Sequence, residues 1–183
     1  MIPCCLPFLS ARSSQALAVT SGSVRKTMAK RAPVSCCFAV CPILLVHLGG
    51  PFWKNRDDGA WSIPKGLYDE DEQPFTAAKR EFQEETGCIP HGTFIDLGVH
   101  RQPSGKRLAV WAVEGDVDLA LFKSNTFRME WPPRSGRFEE FSEADRAAWF
   151  EPAQALRKIV KGQVPILQQL FKMHGVTPPS HPP

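Results

Sequence analysis

Residues 66–88 read GLYDEDEQPFTAAKREFQEETGC, and no other stretch constrains the fold as tightly. Pro74 suits the first position of a helix, where a missing N–H costs nothing, and Gly87 suits the left-handed position just past its end. The spacing predicts a helix between them. Consecutive helical side chains lie about 100° apart, so Phe75, Ala78 and Phe82 form an apolar stripe. Glu81, Glu84 and Glu85, at i, i+3 and i+4, project together about 100° round from that stripe. Glu85 falls nearest the stripe and is expected to be the least exposed.

Like charges three and four residues apart destabilise an isolated helix by about 0.2–0.5 kcal/mol per pair. A hard divalent cation offsets that cost. Magnesium prefers carboxylate oxygens and substrate phosphates, and held this way it orients a pyrophosphate, neutralises developing charge and acidifies an attacking water. Manganese is an acceptable substitute. Arg80 is placed to moderate the charge by pairing with Glu84 at i+4 or with Glu72 in the preceding loop.

Gly66, Glu72, Arg80, Glu81, Glu84, Glu85 and Gly87, at these spacings, resemble the Nudix box of the Nudix hydrolase family. Seven specified residues, each at roughly 5–10% usage, match by chance on the order of once in ten million chains of this length. Cys88 stands where an aliphatic residue is usual, and a small thiol packs there as well. The resemblance runs from about Leu44 to Ile166 and is closest to bacterial members around GPFWKNRDDGAWSIPKG. It implies an α/β fold, an α/β/α sandwich with a mixed sheet and a catalytic loop-helix. It implies further that Glu84, Glu85 and Glu81 ligate magnesium, with Glu81 as metal ligand or general base. Gly66 would shape the loop and Glu72 tie it to Arg80. Family members often recruit another carboxylate from a loop before the last strand, as ligand or base. Glu139 and Glu140 precede AAWF at a suitable distance, and of the two Glu140 is preferred; a plain solvated acidic run with Glu143 and Asp145 stands as an equal alternative. One departure is upstream, where SCCFAVCP leaves little room for the hairpin turn usual ahead of LLVH.

The 183 residues, 43% hydrophobic, suit one sizeable core. The expected domain covers 28–174. Residues 1–27 read as a leader or as translated sequence ahead of a start at Met28, and the proline-rich 175–183 as an unfolded tail. Seven of the 22 Lys and Arg residues precede Asp57, the first acidic residue, which leaves 15 against 19 acidic residues in the remainder. A body of that sign offers no footprint for long nucleic acid. Six cysteines, paired in sequence or isolated, make neither a disulfide framework nor a zinc set, and are read as reduced thiols. The apolar stretch 33–46 is broken by Ser35 and Pro42 and falls short of the roughly 20 residues a membrane span needs. A cytoplasmic protein is expected, and the oligomeric state is left open.

Periodicity predicts one or two strands within 35–47 and others at 61–63, 93–101, 107–113, 126–131 and 147–150. Helices are expected over 152–160 and 165–174. Trp111 and Trp149 are read as core. No histidine enters an arguable triad.

Lys65 is placed to reach a substrate phosphate. Arg101, Lys106, Arg107, Arg128, Arg134 and Arg137 are cations for a polyphosphate, and WPPRSGR at 131–137, with Arg134 and Arg137, is the expected specificity loop. Phe52, Trp53 and Trp131 offer faces for a base. The string WSIPKG resembles Nudix hydrolases acting on dinucleoside polyphosphates and, less closely, diphosphoinositol phosphates. The first reading is therefore hydrolysis of a small nucleotide such as diadenosine tetraphosphate by magnesium-activated water. Nucleotide sugars, ADP-ribose, nucleoside triphosphates and diphosphoinositol phosphates are alternatives, and a non-catalytic Nudix-fold binding module is the rival from another class.

Overall fold

The computed structural model describes residues 31–37, 42–68 and 71–177, so the leader reading of 1–27 lies outside the described residues. In chain order the elements are β1 (Arg31–Cys37), β2 (Ile43–Leu48), β3 (Trp61–Ser62), α1 (Pro74–Thr86), β4 (Phe94–Arg101), β5 (Arg107–Val113), β6 (Thr126–Glu130), β7 (Phe138–Ser142), β8 (Ala144–Phe150), α2 (Pro152–Lys158) and α3 (Val164–Met173).

The run Ile43–Val46 is buried on both faces of its strand, as an unbroken apolar run is when helices cover both sides. Leu44 points to one side, where Phe82 of α1 packs with Val113 and Val117. Ile43 and Leu45 point to the other, against Ile159 and against Ile166, Leu167 and Leu170 of α3. The layers are α/β/α. Strand β2 lies between β3 and β8, antiparallel to both, while β5 lies between β1, which is parallel to it, and β4, which is antiparallel. That second sheet is mixed. Strands β6 and β7 form a separate hairpin.

Three expectations move. Strand β7 occupies residues read as a loop, because its acidic sequence FEEFS carries little strand preference of its own and is held by pairing with β6. Strand β8 begins at Ala144, earlier than its apolar end suggested. The fold also continues past residue 175, since the Val176 N–H donates to the Phe171 carbonyl at 2.9 Å and its side chain packs on the core. The upstream segment contains β1, but residues 38–41, where the missing hairpin turn was in question, lie outside the described residues. Trp149 packs half-buried on the Phe82 cluster, and Trp111 is likewise half-buried, so neither is fully in the core. Cys88 is half-buried against the same cluster, and burial pushes its thiol upward, which favours the protonated form. Among the described residues no helix is long and apolar enough to cross a membrane.

His47, expected only to end a strand, is fully buried, with Nδ1 2.7 Å from Asp145 Oδ1 and Nε2 2.8 Å from the Arg56 carbonyl. The ring also meets Trp61 edge-on at 5.2 Å. His47 thus ties the turn after β2 to the start of β8. His47→Ala is expected to cost about 2–3 kcal/mol, because it opens a void and strands two acceptors. Thermal denaturation followed by circular dichroism should show Tm lowered by about 5–10 °C; an unchanged Tm would show that the tie carries no weight.

Candidate active site

Helix α1 begins with Pro74 and ends where Gly87, at φ 76°, caps it by donating to the Gln83 carbonyl. The turn leaves Glu81 and Glu85 buried, at 8% and 7% exposure, while the Glu84 side chain is 37% exposed. Glu85 is the least exposed, as the helical geometry required. Its Oε2 accepts the Lys65 N–H at 2.8 Å, which fastens the helix to the segment entering the loop.

Arg80 organises the rest. Its Nε and Nη2 donate to the two oxygens of Glu72 at 3.0 and 2.9 Å, a two-pronged pairing that draws the loop onto the helix. Nη1 donates to Glu81 at 2.9 Å and to both oxygens of Glu84 at 3.2 Å, and Nη2 also reaches the Leu67 carbonyl at 3.2 Å. These bonds hold Glu72 below the ordinary carboxylate range and raise Arg80 further above its own. Gly66 follows from close approach: a Cβ there would lie 1.5 Å from Glu81 Oε2, so any side chain would displace the carboxylate.

A cavity of about 510 Å³ opens over this cluster, with Lys65, Glu81, Glu84, Glu85, Trp53 and Glu143 in its walls. Glu143 sits between β7 and β8, where its N–H donates to the Asn125 carbonyl at 2.8 Å. It adds to the negative field at Glu81 and Glu85. Glu140 lies elsewhere: it is in β7, exposed, and accepts a hydrogen bond from the Thr126 hydroxyl. The loop carboxylate that the structure brings to the site is therefore Glu143 and not Glu140. A sequence signal existed in the single residue that interrupts two paired strands, but it is visible only once β7 is recognised.

Arg134 and Arg137 are exposed at the tip of the β6–β7 hairpin and do not line the cavity. Arg134 adopts a left-handed φ of 65°, uncommon for a residue with a side chain. Trp131, at the base of that tip, packs edge-on against Phe52, with ring centroids 5.2 Å apart. Of the proposed aromatic faces, Trp53 alone lines the cavity, and Arg56 stacks over it at 5.5 Å.

Burial pushes Glu85 up to about 7, with the neighbouring carboxylates adding to the shift and Lys65 opposing it; burial raises Glu81 as well. A carboxyl raised on folding contributes stability that is full below its unfolded value, near 4.5, and is lost as pH rises through the folded one. Metal-free protein should therefore lose on the order of 3 kcal/mol between about pH 4.5 and 7 from Glu85. Glu72 acts with the opposite sign, at lower pH. Denaturant titrations across this range check the slope, and a flat profile would remove Glu85 as its source.

The donor set fits a hard divalent cation, since it consists of carboxylate oxygens, two of them buried against one another's charge. Among the described residues no three acidic, histidine or cysteine side chains converge on one point. Arg80 holds Glu81 and Glu84, while the Lys65 N–H holds Glu85.

A family model for the NUDIX domain matches residues 30–170, and the chain belongs to the Nudix hydrolase family. No curated protein matches the chain. The NUDIX domain of Shewanella oneidensis NrtR, complexed with ADP ribose, is similar over 81% of this chain and 90% of its own, at TM-score 0.55 and 15% identity. A C. elegans Ap4A hydrolase binary complex is similar over 78% and 96%, at TM-score 0.54 and 16% identity. The E. coli ORF135 protein is similar over 82% and 94%, at TM-score 0.52 and 20% identity. At these identities the likenesses establish the fold.

Proposed function

We propose that the protein is a magnesium-dependent pyrophosphohydrolase whose substrate is a dinucleoside polyphosphate such as diadenosine tetraphosphate. The observation that carries the chemical part is the Arg80 fork, which joins Glu72 to Glu81 and Glu84 beside the buried Glu85 at the floor of an open cavity. Glu81, Glu84 and Glu85 would hold the cation. Once bound, it supplies charge neutralisation at the pyrophosphate and acidifies a water.

The side chains do the rest. Lys65 lies in the cavity wall, where its ammonium meets a phosphate oxygen and steadies the leaving group. Glu143 lines the same cavity as the helix carboxylates and would take the proton of the attacking water. Glu81, raised by burial, is the other group able to do so. Arg80 keeps the loop and helix in register throughout. Trp53 offers a face for one base, and Arg134 and Arg137 are cations for the part of the chain that leaves the cavity.

Three observations support the substrate: the WSIPKG string, the roomy cavity with Trp53 in its wall, and the fold shared with a solved Ap4A hydrolase. The fold shared with an ADP ribose complex keeps ADP-ribose as the second reading. Product release from diadenosine polyphosphates, ADP-ribose, nucleotide sugars, nucleoside triphosphates and diphosphoinositol phosphates, each with and without magnesium, separates them. The expected result is cation-dependent cleavage of diadenosine tetraphosphate to ATP and AMP above all others. A better ADP-ribose rate would replace the substrate and keep the mechanism, and folded protein inert toward the whole panel would leave a binding module.

A further inference from the structure

A second cavity, of about 240 Å³, opens on the outer face of β4 and β5, and its walls have the chemistry of a nucleotide site. On these strands Leu97, Leu108, Val110 and Ala112 turn to the core. The alternate positions turn away in three cross-strand rows: Asp96 opposite Trp111, Val99 opposite Ala109, and Arg101 opposite Arg107. The face is thus graded from an aromatic ring and a carboxylate, through small apolar side chains, to two guanidiniums. Tyr68 and Pro74, from the segment leading into α1, close the cavity over Trp111 and Ala109.

Each row carries an unusual feature. Trp111 is half-buried, although an apolar strand pattern predicted a core position, and Phe75 meets it at 5.6 Å from the side. Val99 is 57% exposed in the middle of a strand. Arg101 and Arg107 are direct cross-strand partners, a juxtaposition of like charges that is destabilising when uncompensated, and among the described residues neither forms an ion pair. The register of β1 places Arg31 opposite Arg107 as well. An anion lying along this edge removes that repulsion. At the other end, Asp96 Oδ1 accepts the Gly98 N–H at 2.7 Å across a bulge, which fixes the carboxylate and leaves its second oxygen for a ligand.

We propose that this cavity binds a nucleoside monophosphate unit: the base lies against Trp111 and Tyr68, its exocyclic amine donates to Asp96, and its phosphate meets Arg107, the cation in the cavity wall. The volume decides what is enclosed, because sites for drug-sized ligands span about 300–1,000 Å³ and this one encloses a single base-sized group, with the ribose and phosphate extending along the strand face toward Arg107. It flanks the same loop as the catalytic cavity, with Gly66 and Leu67 lining one and Tyr68 the other. The unit is either the distal half of a dinucleotide substrate, which rests on the function proposed above, or a free mononucleotide, which does not.

Titration of metal-free, isotope-labelled full-length protein with AMP, followed at the indole N–H of Trp111, tests the proposal directly. A saturable shift is expected. Arg107→Ala should weaken AMP binding at least about tenfold and adenosine binding far less. Val99→Trp, introduced from an exposed position, should fill the cavity and abolish the shift without lowering Tm. Absence of any shift at Trp111, or a shift that persists in Val99→Trp, overturns the proposal. With the distal-half source, Val99→Trp raises KM for diadenosine tetraphosphate at unchanged kcat. With the free-nucleotide source, AMP alters the wild-type rate and not that of Val99→Trp. Inert protein would defeat the hydrolase reading while leaving the Trp111 titration intact.

Discussion

Glu84→Gln is expected to lower kcat by about 10²–10⁴-fold while Tm in metal-free buffer moves by no more than about 2 °C. The two halves of that expectation have separate origins. Glu84 is the most exposed of the three helix carboxylates, and its bond to Arg80 is a partly solvated i,i+4 pair of the kind worth a few tenths of a kcal/mol. Glutamine keeps the shape and one acceptor oxygen, and it removes a charge repelled by Glu81. Little stability is at stake. For catalysis the charge is the contribution, since an amide oxygen is a poor partner for a hard cation. Steady-state kinetics over a magnesium series, paired with a melting curve, reads both. A variant with wild-type rate would remove the helix carboxylates from the chemistry, and a variant that lost rate only by unfolding would assign Glu84 a structural role.

The second large effect separates two residues three positions apart. Glu143→Gln should reduce kcat by about 10²-fold or more with a small change in KM. Glu140→Gln should leave kcat within about twofold, because Glu140 lies on the hairpin surface, bonded to Thr126. The pair forms an internal control, with the same substitution and the same stretch of chain. If Glu140→Gln were the damaging change, the hairpin would have to reorganise around bound substrate. If both were neutral, Glu81 would be left as the base.

The catalytic helix was legible in the sequence because its determinants are local. Pro74, Gly87 and the i, i+3, i+4 spacing of the glutamates act within a few turns, and the structure returns a helix with those limits and that ordering of exposure. The Arg80–Glu72 pairing spans eight residues and was also within reach. Contacts between distant segments were not. His47 and Asp145 are 98 residues apart, and nothing in either neighbourhood announces the other. Glu143 was passed over because β7 has a sequence better suited to a loop, and only its pairing with β6 makes it a strand. Trp111 shows the same limit from another side. Alternation fixed which residues share a face, while burial of that face depends on what covers it.

In the hairpin that carries Trp131, Arg134 and Arg137, Trp131 packs on Phe52 and the root is hydrogen-bonded to the rest of the fold. There the Asn125 N–H donates to the Glu84 carbonyl at 3.3 Å, the Lys123 N–H to Thr86 at 3.2 Å and the Glu143 N–H to Asn125 at 2.8 Å, while the tip is exposed. Its root is therefore built into the catalytic helix, and its tip is an interchangeable part. With 131–137 as the specificity loop proposed above, changes in its length or charge would alter what the enzyme accepts without disturbing how it cuts. A lineage could in this way pass from one phosphorylated compound to another by remodelling a single turn, with the reaction centre inherited intact.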